Sequence, residues 1–280
     1  MPRASSGLPF RHALVLGLVQ GPTELLPVSS SAHTTVIPLL LDWPHEELGG
    51  GWRKSFELAL HAGAGLALAL DMSGELIAAA RRLDRARVGV VVLSLAPAAL
   101  TGLTLRPLIE RRLGGPRSIA AGLLLGGVAM IVAERRAPAG TRDDGDARLA
   151  DGLALGVAQA VALVPGVSRY GATLTVARGR GFSPTAAQTL SWHAALPVML
   201  GASALEVVRL AGRRTSEATP LPLAGGACGA FASTLLSARL LRRRRPLPSL
   251  LPWALYRFLL AGIVLRHARR SRNRKPSSDQ

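Results

Sequence analysis

Two stretches decide how this chain folds. One is Leu16-Gly17-Leu18-Val19-Gln20, running on through Glu24 to Pro27-Val28-Ser29-Ser30 and His33; the other is Leu155-Gly156-Val157-Ala158-Gln159, running on to Pro165-Gly166-Val167-Ser168-Arg169. They read as copies of one another. Each is an apolar segment broken midway by a proline, then hydroxyl residues, then an ionisable or cationic group. Paired interrupted segments in the two halves of a membrane protein point to a binding site where the repeats meet.

Composition agrees with bilayer residence. The 280 residues are 49% hydrophobic and only 18% charged, with a mean hydropathy of +0.29, which is hard to reconcile with one soluble domain. Runs 88–105 and 218–238 carry no charge and are long enough to cross the hydrocarbon at about 1.5 Å per helical residue. The runs 118–133, 189–205 (only His193), 246–265 (only Arg257) and 55–70 (only Glu57 and His61) are nearly as clean. About six candidate spans result, besides the two broken segments. A soluble all-helical protein with an oversized core is the alternative that these runs argue against.

The net charge of +17 does not signal nucleic acid, because the cations sit between the apolar runs. Arg81, Arg82, Arg85 and Arg87 form one cluster, Arg106, Arg111, Arg112 and Arg117 a second, and 242–245 and 266–274 two more. Clusters flanking spans anchor to anionic headgroups. Almost every loop is basic, so charge does not decide the orientation. Cys228 is the lone cysteine, which excludes a disulfide or thiolate cluster within the chain and reads as a packed small apolar residue. The start imitates a signal peptide, but Gln20, Pro22 and Glu24 interrupt its apolar region, so retention is expected. A polar connector over 137–151, rich in Pro, Gly and Asp, divides the chain into a first half (1–136) and a second (152–265), followed by a basic tail (266–280) expected to be disordered.

The breaks hold the candidate chemistry. Gln20 and Glu24 are four apart, share one helix face and can converge on a cation or a polar substrate group. Pro27 ends that helix, and Ser29 or Ser30 can cap the next, whose free N–H groups suit an anion. His33, three residues after Ser30, can face the same way. Ser30 is then a nucleophile or phosphate ligand, His33 a proton carrier, and Glu24 a base or metal ligand. In the second break Arg169 can hold a phosphate through two parallel hydrogen bonds. Ser168 and Thr173 offer further donors, and Gly166 and Gly171 let the backbone approach a ligand. A purely structural Glu24–Arg169 ion pair is the rival reading, as are glutamines that only join helices. Glu57 and Glu75 read as span ends, and His61 and His193 as candidates to line the same cavity.

Gly17-x-x-Gln20-Gly21-x-Thr23-Glu24-x-Leu26-Pro27-Val28-Ser29-Ser30-x-x-His33 resembles the first signature of the undecaprenyl-diphosphatases, also called bacitracin-resistance proteins. Pro165-Gly166-Val167-Ser168-Arg169-x-Gly171-Ala172-Thr173 resembles their second, and the likeness extends through Ser183-Pro184, 190–205 and Tyr256-Arg257. The resemblance implies an all-α integral membrane protein with six transmembrane helices and two re-entrant hairpins, about 12–41 and 152–178 here, in inverted repeats. It implies hydrolysis of undecaprenyl diphosphate to undecaprenyl phosphate and inorganic phosphate, recycling the carrier for peptidoglycan synthesis, with the site opening to the outer face of the bacterial cytoplasmic (inner) membrane. The acidic motif falls on Gln20 and Glu24, which would hold the divalent cation, magnesium or else calcium. The catalytic set falls on Glu24, Ser30, His33 and Arg169, with Ser29, Ser168, Gly171 and Thr173 around the phosphate. The expected partners are a lipid diphosphate and the bilayer, not nucleic acid, and the oligomeric state, a homodimer included, stays open. The chain departs from the family pattern at Gln20, at Tyr170 where a small Ser is usual, and at His61 where Gln is common. A polyprenyl-phosphate transporter of the same fold is the alternative, and phosphoserine and direct water attack both remain open.

Overall fold

The structure, a computed structural model, describes residues 8–43, 48–81, 84–136, 140–211, 220–242 and 247–274. Arg82, the arginines at 243–245, the start of the connector at 137–139 and the end of the tail at 275–280 lie outside the described residues. Twelve α-helices follow one another among those described: α1 (Phe10–Leu25), α2 (Ser30–Leu40), α3 (Gly50–Asp71), α4 (Ser73–Arg81), α5 (Arg85–Thr104), α6 (Arg106–Leu113), α7 (Pro116–Arg136), α8 (Leu149–Val161), α9 (Arg169–Gly179), α10 (Pro184–Ala211), α11 (Pro220–Arg242) and α12 (Leu251–Arg274). A 3₁₀ turn at Asp144–Asp146 and one isolated bridge, Arg142 to Phe182, complete the regular structure.

The six apolar runs fall in α3, α5, α7, α10, α11 and α12. Of these, α5, α7 and α11 are helices long and apolar enough to cross a membrane, and α3 with α4 makes a fourth candidate bent by 67°. Their outward faces are apolar: Leu100, Leu103, Leu125 and Leu236 are each more than half exposed. Such faces are stable against lipid rather than water. Cys228 also faces outward on α11, contrary to the expected packed position. The inner side of α11 is instead taken up by the close approach of α1.

Both broken segments fold as helix, break, helix. α1 stops at Leu25, where Pro27 cannot continue the hydrogen-bond ladder, and α2 starts behind the Ser29 cap. α8 stops at Val161, and α9 starts behind the Ser168 cap. Setting Gln20 against Gln159 places Gly17 on Gly156, Pro27 on Gly166, Ser29 on Ser168 and Ser30 on Arg169.

The halves are laced through each other. α1 packs on α11 of the second half, and α8 packs on α5 of the first; α7 lies along α12, and α3 touches α10. Matching glycines make this possible. A side chain on Gly17 would run into the carbonyl of Gly226 on α11, and one on Gly156 into that of Leu93 on α5. Small residues let helix backbones meet where no hydrophobic difference drives them together. Neither half therefore buries its broken pair alone.

One expectation about a boundary changes. α12 runs on through Arg274, so 266–274 is helical rather than disordered. No proline or glycine interrupts it there, and cations suit a helix C-terminus. The described part of the connector is pinned: Arg142 reaches both Asp151 carboxylate oxygens, the Asp146 and Arg180 carbonyls, and the Phe182 ring at 4.1 Å. Asp151 also accepts from Arg180 and, at 2.8 Å, from the Arg148 amide. Burial raises its carboxyl pKa, but these donors outweigh that and hold it at about 2.

Candidate active site

Glu24 is the hub of the site. It lies on the last turn of α1, buried at 7% exposure. Its Oε2 accepts from Ser30 Oγ at 2.6 Å and from Gln20 Nε2 at 3.1 Å. His61 Nε2 of α3 stands 3.9 Å from the same oxygen. Arg169 Nη1 stands 3.9 Å from Oε1, beyond hydrogen-bonding distance. That Arg169 nitrogen is buried and has no hydrogen-bond partner. A tight structural ion pair would have closed this gap. The open guanidinium nitrogen instead marks a place for an anionic oxygen.

Glu24, Ser29, Ser30, Ser168, Arg169 and His61 line one open cavity of about 1270 Å³. Leu95, Ala98, Ala99 and Leu103 of α5, with Pro197, Val198 and Met199 of α10, give part of it an apolar wall; Arg53, Lys54 and Arg111 give it a basic margin. A carboxylate, two helix caps and a guanidinium thus share a chamber that is greasy on one side and cationic on another.

The caps are set differently. Ser29 sits at φ 74 and accepts from the Ala32 amide at 3.4 Å. Ser168 has ordinary extended backbone and accepts from Gly171 N at 3.0 Å; the positive φ of the second break falls on Gly166, at 92. A side chain on Gly166 would meet the Ile119 carbonyl. The glycine therefore serves packing against α7 as well as backbone freedom.

Several candidates lie behind the cavity wall. Gln20 is 1% exposed and turns its amide nitrogen to Glu24, so it steadies the carboxylate instead of facing the chamber. His33 spends both ring nitrogens, Nδ1 on the Ser29 carbonyl at 2.7 Å and Nε2 on the Tyr256 hydroxyl at 2.6 Å. It is placed to hold the break rather than to carry a substrate proton. Thr173 is fully buried, its hydroxyl donating to the carbonyls of Arg169 and Tyr170. Gly171 packs beside Met130 and Arg257. His193 is not among the lining residues, whereas Glu57 lies inside α3 and lines the cavity rather than ending a span.

His61 and Arg257 carry more than their sequence context suggested. His61 Nδ1 meets the Glu57 carbonyl at 2.8 Å, which leaves Nε2 toward Glu24. The four-residue spacing of Glu57 and His61 in an apolar run was the available signal. For Arg257 it was the single charge in its run.

Among the described residues no group of three or more His, Cys, Asp or Glu gathers as a metal site. Glu24, with the Ser30 hydroxyl hydrogen-bonded to it, offers oxygen donors of the kind a hard cation takes, the remaining ligands being left to a phosphorylated substrate and water.

Fold and site together define a helical membrane-type protein with an anion-ready cavity built from two helix breaks. The chain belongs to the family described as Bacitracin resistance protein BacA, whose model matches residues 13–263. It is 35% identical over 269 residues to an undecaprenyl-diphosphatase of Geobacter sulfurreducens, covering 91% of this chain and 96% of the relative. It is 37% identical over 254 residues to one of Thermomicrobium roseum, covering 82% and 88%. A third, from Campylobacter curvus, is 33% identical over 265 residues, covering 91% and 97%.

Proposed function

We propose that this protein hydrolyses undecaprenyl diphosphate, releasing inorganic phosphate and leaving undecaprenyl phosphate. The observation that carries the proposal is the buried, unpartnered Arg169 Nη1 across a gap from Glu24, beside a serine hydroxyl already hydrogen-bonded to that carboxylate. Arg169 and the free amides at the start of α9 would take the terminal phosphoryl oxygens. Ser30 Oγ would attack the terminal phosphorus in line while its proton passes to Glu24 Oε2, the hydrogen-bonded partner that activates a nucleophile. The bond to the bridging oxygen breaks and the lipid phosphate departs; water then hydrolyses the phosphoserine to free phosphate. Arg169 stabilises charge on the equatorial oxygens in both steps. Glu24 and the Ser30 hydroxyl would hold a divalent cation, magnesium or calcium, which would supply further charge neutralisation on the diphosphate.

The same proposal places the two broken pairs as re-entrant hairpins meeting inside the bilayer. The six long helices then act as spans in inverted repeats, with the cavity opening to the outer face of the bacterial cytoplasmic membrane. The register shared by the two breaks and the lacing of α1 on α11 and α8 on α5 support this arrangement. The apolar wall on α5 and α10 suits the polyprenyl chain.

The test is phosphate release from undecaprenyl diphosphate by the purified protein with magnesium. Stoichiometric phosphate and undecaprenyl phosphate are expected. Binding without release would transfer the function to lipid-phosphate transport.

A further inference from the structure

Arg257 is 1% exposed on the second turn of α12, and its hydrogen bonds go to backbone carbonyls. Nε donates to Leu123 O at 3.2 Å, Nη2 to Gly122 O at 3.1 Å and to Gly166 O at 2.9 Å, and Nη1 to Pro27 O at 3.3 Å. Pro27 and Gly166 occupy the same register position in the two breaks. Broken helices leave carbonyls without intrahelical donors, which is costly away from water. One planar guanidinium satisfies the equivalent carbonyl of each.

The surroundings are cut to admit it. A side chain on Gly126 of α7 would run into the guanidinium, and one on Gly171 of α9 would come within 3.2 Å of Nη1. The neighbouring residue works on one side alone. Tyr256 OH meets His33 Nε2, and His33 Nδ1 meets the Ser29 carbonyl. A ring nitrogen facing a carbonyl must be the N–H, so Nε2 accepts from the tyrosine. That chain braces Ser29 at its positive φ, immediately before Ser30.

We propose that Tyr256 and Arg257 are positioning residues: Arg257 clamps the Pro27 and Gly166 carbonyls and so sets the distance from Arg169 to Glu24 and Ser30, while Tyr256 holds the first break through His33. The proposal rests on the phosphatase reading for its kinetic consequence only. Its structural consequence is that the breaks loosen together when Arg257 is altered, and that only the first loosens when Tyr256 is.

The experiment uses the full chain in detergent. Arg257→Lys keeps the charge but has no fork of donors to span two carbonyls. Hydrogen–deuterium exchange in peptides covering 24–34 and 163–173 is expected to rise about tenfold in both together. The kcat for phosphate release is expected to fall about a hundredfold with KM within about threefold. Tyr256→Phe is expected to raise exchange over 24–34 alone. Unchanged exchange in Arg257→Lys, or loosening of one break only, overturns the clamp. If Arg257→Lys does not fold, Tyr256→Phe decides, and unchanged exchange over 24–34 overturns the proposal. Exchange needs no turnover, so a parent protein that releases no phosphate refutes the phosphatase reading while the clamp is still judged by exchange.

Discussion

The first break and the second share a register but not a chemistry. α1 continues past Pro22 to Leu25 and so carries Glu24 on its last turn, whereas α8 stops at Val161 and leaves the matching Leu163 outside the helix. Ser30 in one corresponds to Arg169 in the other. Identical positions behave as scaffold: Gly17 and Gly156 both admit a partner helix, and Ser29 and Ser168 both cap. Differing positions carry the reacting groups. Even the shared glutamines diverge, since Gln20 bonds Glu24 while Gln159 donates to the Ser94 and Ala194 carbonyls on α5 and α10. A duplicated frame thus lets one break supply carboxylate and alcohol and the other supply the cation.

The largest expected effect breaks this division of labour. Glu24→Gln in the first break and Arg169→Lys in the second should each lower kcat about a thousandfold, roughly 4 kcal/mol of transition-state stabilisation. Phosphate-release kinetics check it, and retention of full turnover by either variant would remove that residue from the chemistry.

The backbones of the breaks should differ next. Gly166→Ala forces a side chain onto φ 92 against the Ile119 carbonyl and should cost about 3 kcal/mol. Ser29→Gly relieves a positive φ but loses a weak cap, and should change stability by less than about 1 kcal/mol. Unfolding of the two purified variants in the same detergent measures both.

Acid should act on the second half through Asp151, in the first turn of α8. Asp151 occupies the register position of His12, which is held by stacking on Trp43 with centroids 3.9 Å apart. The Asp151 carboxyl sits at about 2 against an ordinary 3.8, a depressed value. Its stabilisation of about 2 kcal/mol is complete above pH 3.8 and disappears as pH falls through about 2. Thermal unfolding from pH 5 downward should show this slope in the parent and a flatter one in Asp151→Asn.

The smallest contrast lies in the glutamines. Gln20→Ala should lower kcat about tenfold with little loss of stability, because it frees Glu24. Gln159→Ala should cost about 1 kcal/mol of stability and leave kcat near the parent value. The opposite pattern would show that the halves had been assigned the wrong way round.

Much of this was readable along the chain. The uncharged runs imposed long apolar helices because a bilayer tolerates nothing else at that length. Pro27 and Pro165, with serines behind them, announced the breaks because proline removes a donor and serine supplies a cap. Glu24, Ser30 and Arg169 stood out as polar groups inside apolar sequence, and the fold does bring them to one cavity. Local periodicity could not tell that Thr173 would turn its hydroxyl onto its own helix, or that His33 would have both nitrogens occupied.

What the sequence settled by itself is therefore the helices, their breaks and the family, since each depends on hydrophobic length, proline and short motifs that act locally. Only the tertiary structure decided which groups meet: α1 crossing to α11, His61 reaching Glu24 from α3, and Arg257 bridging two carbonyls far apart along the chain. Those contacts depend on how backbones approach in three dimensions, a distance set by glycines on facing helices and invisible to any single segment.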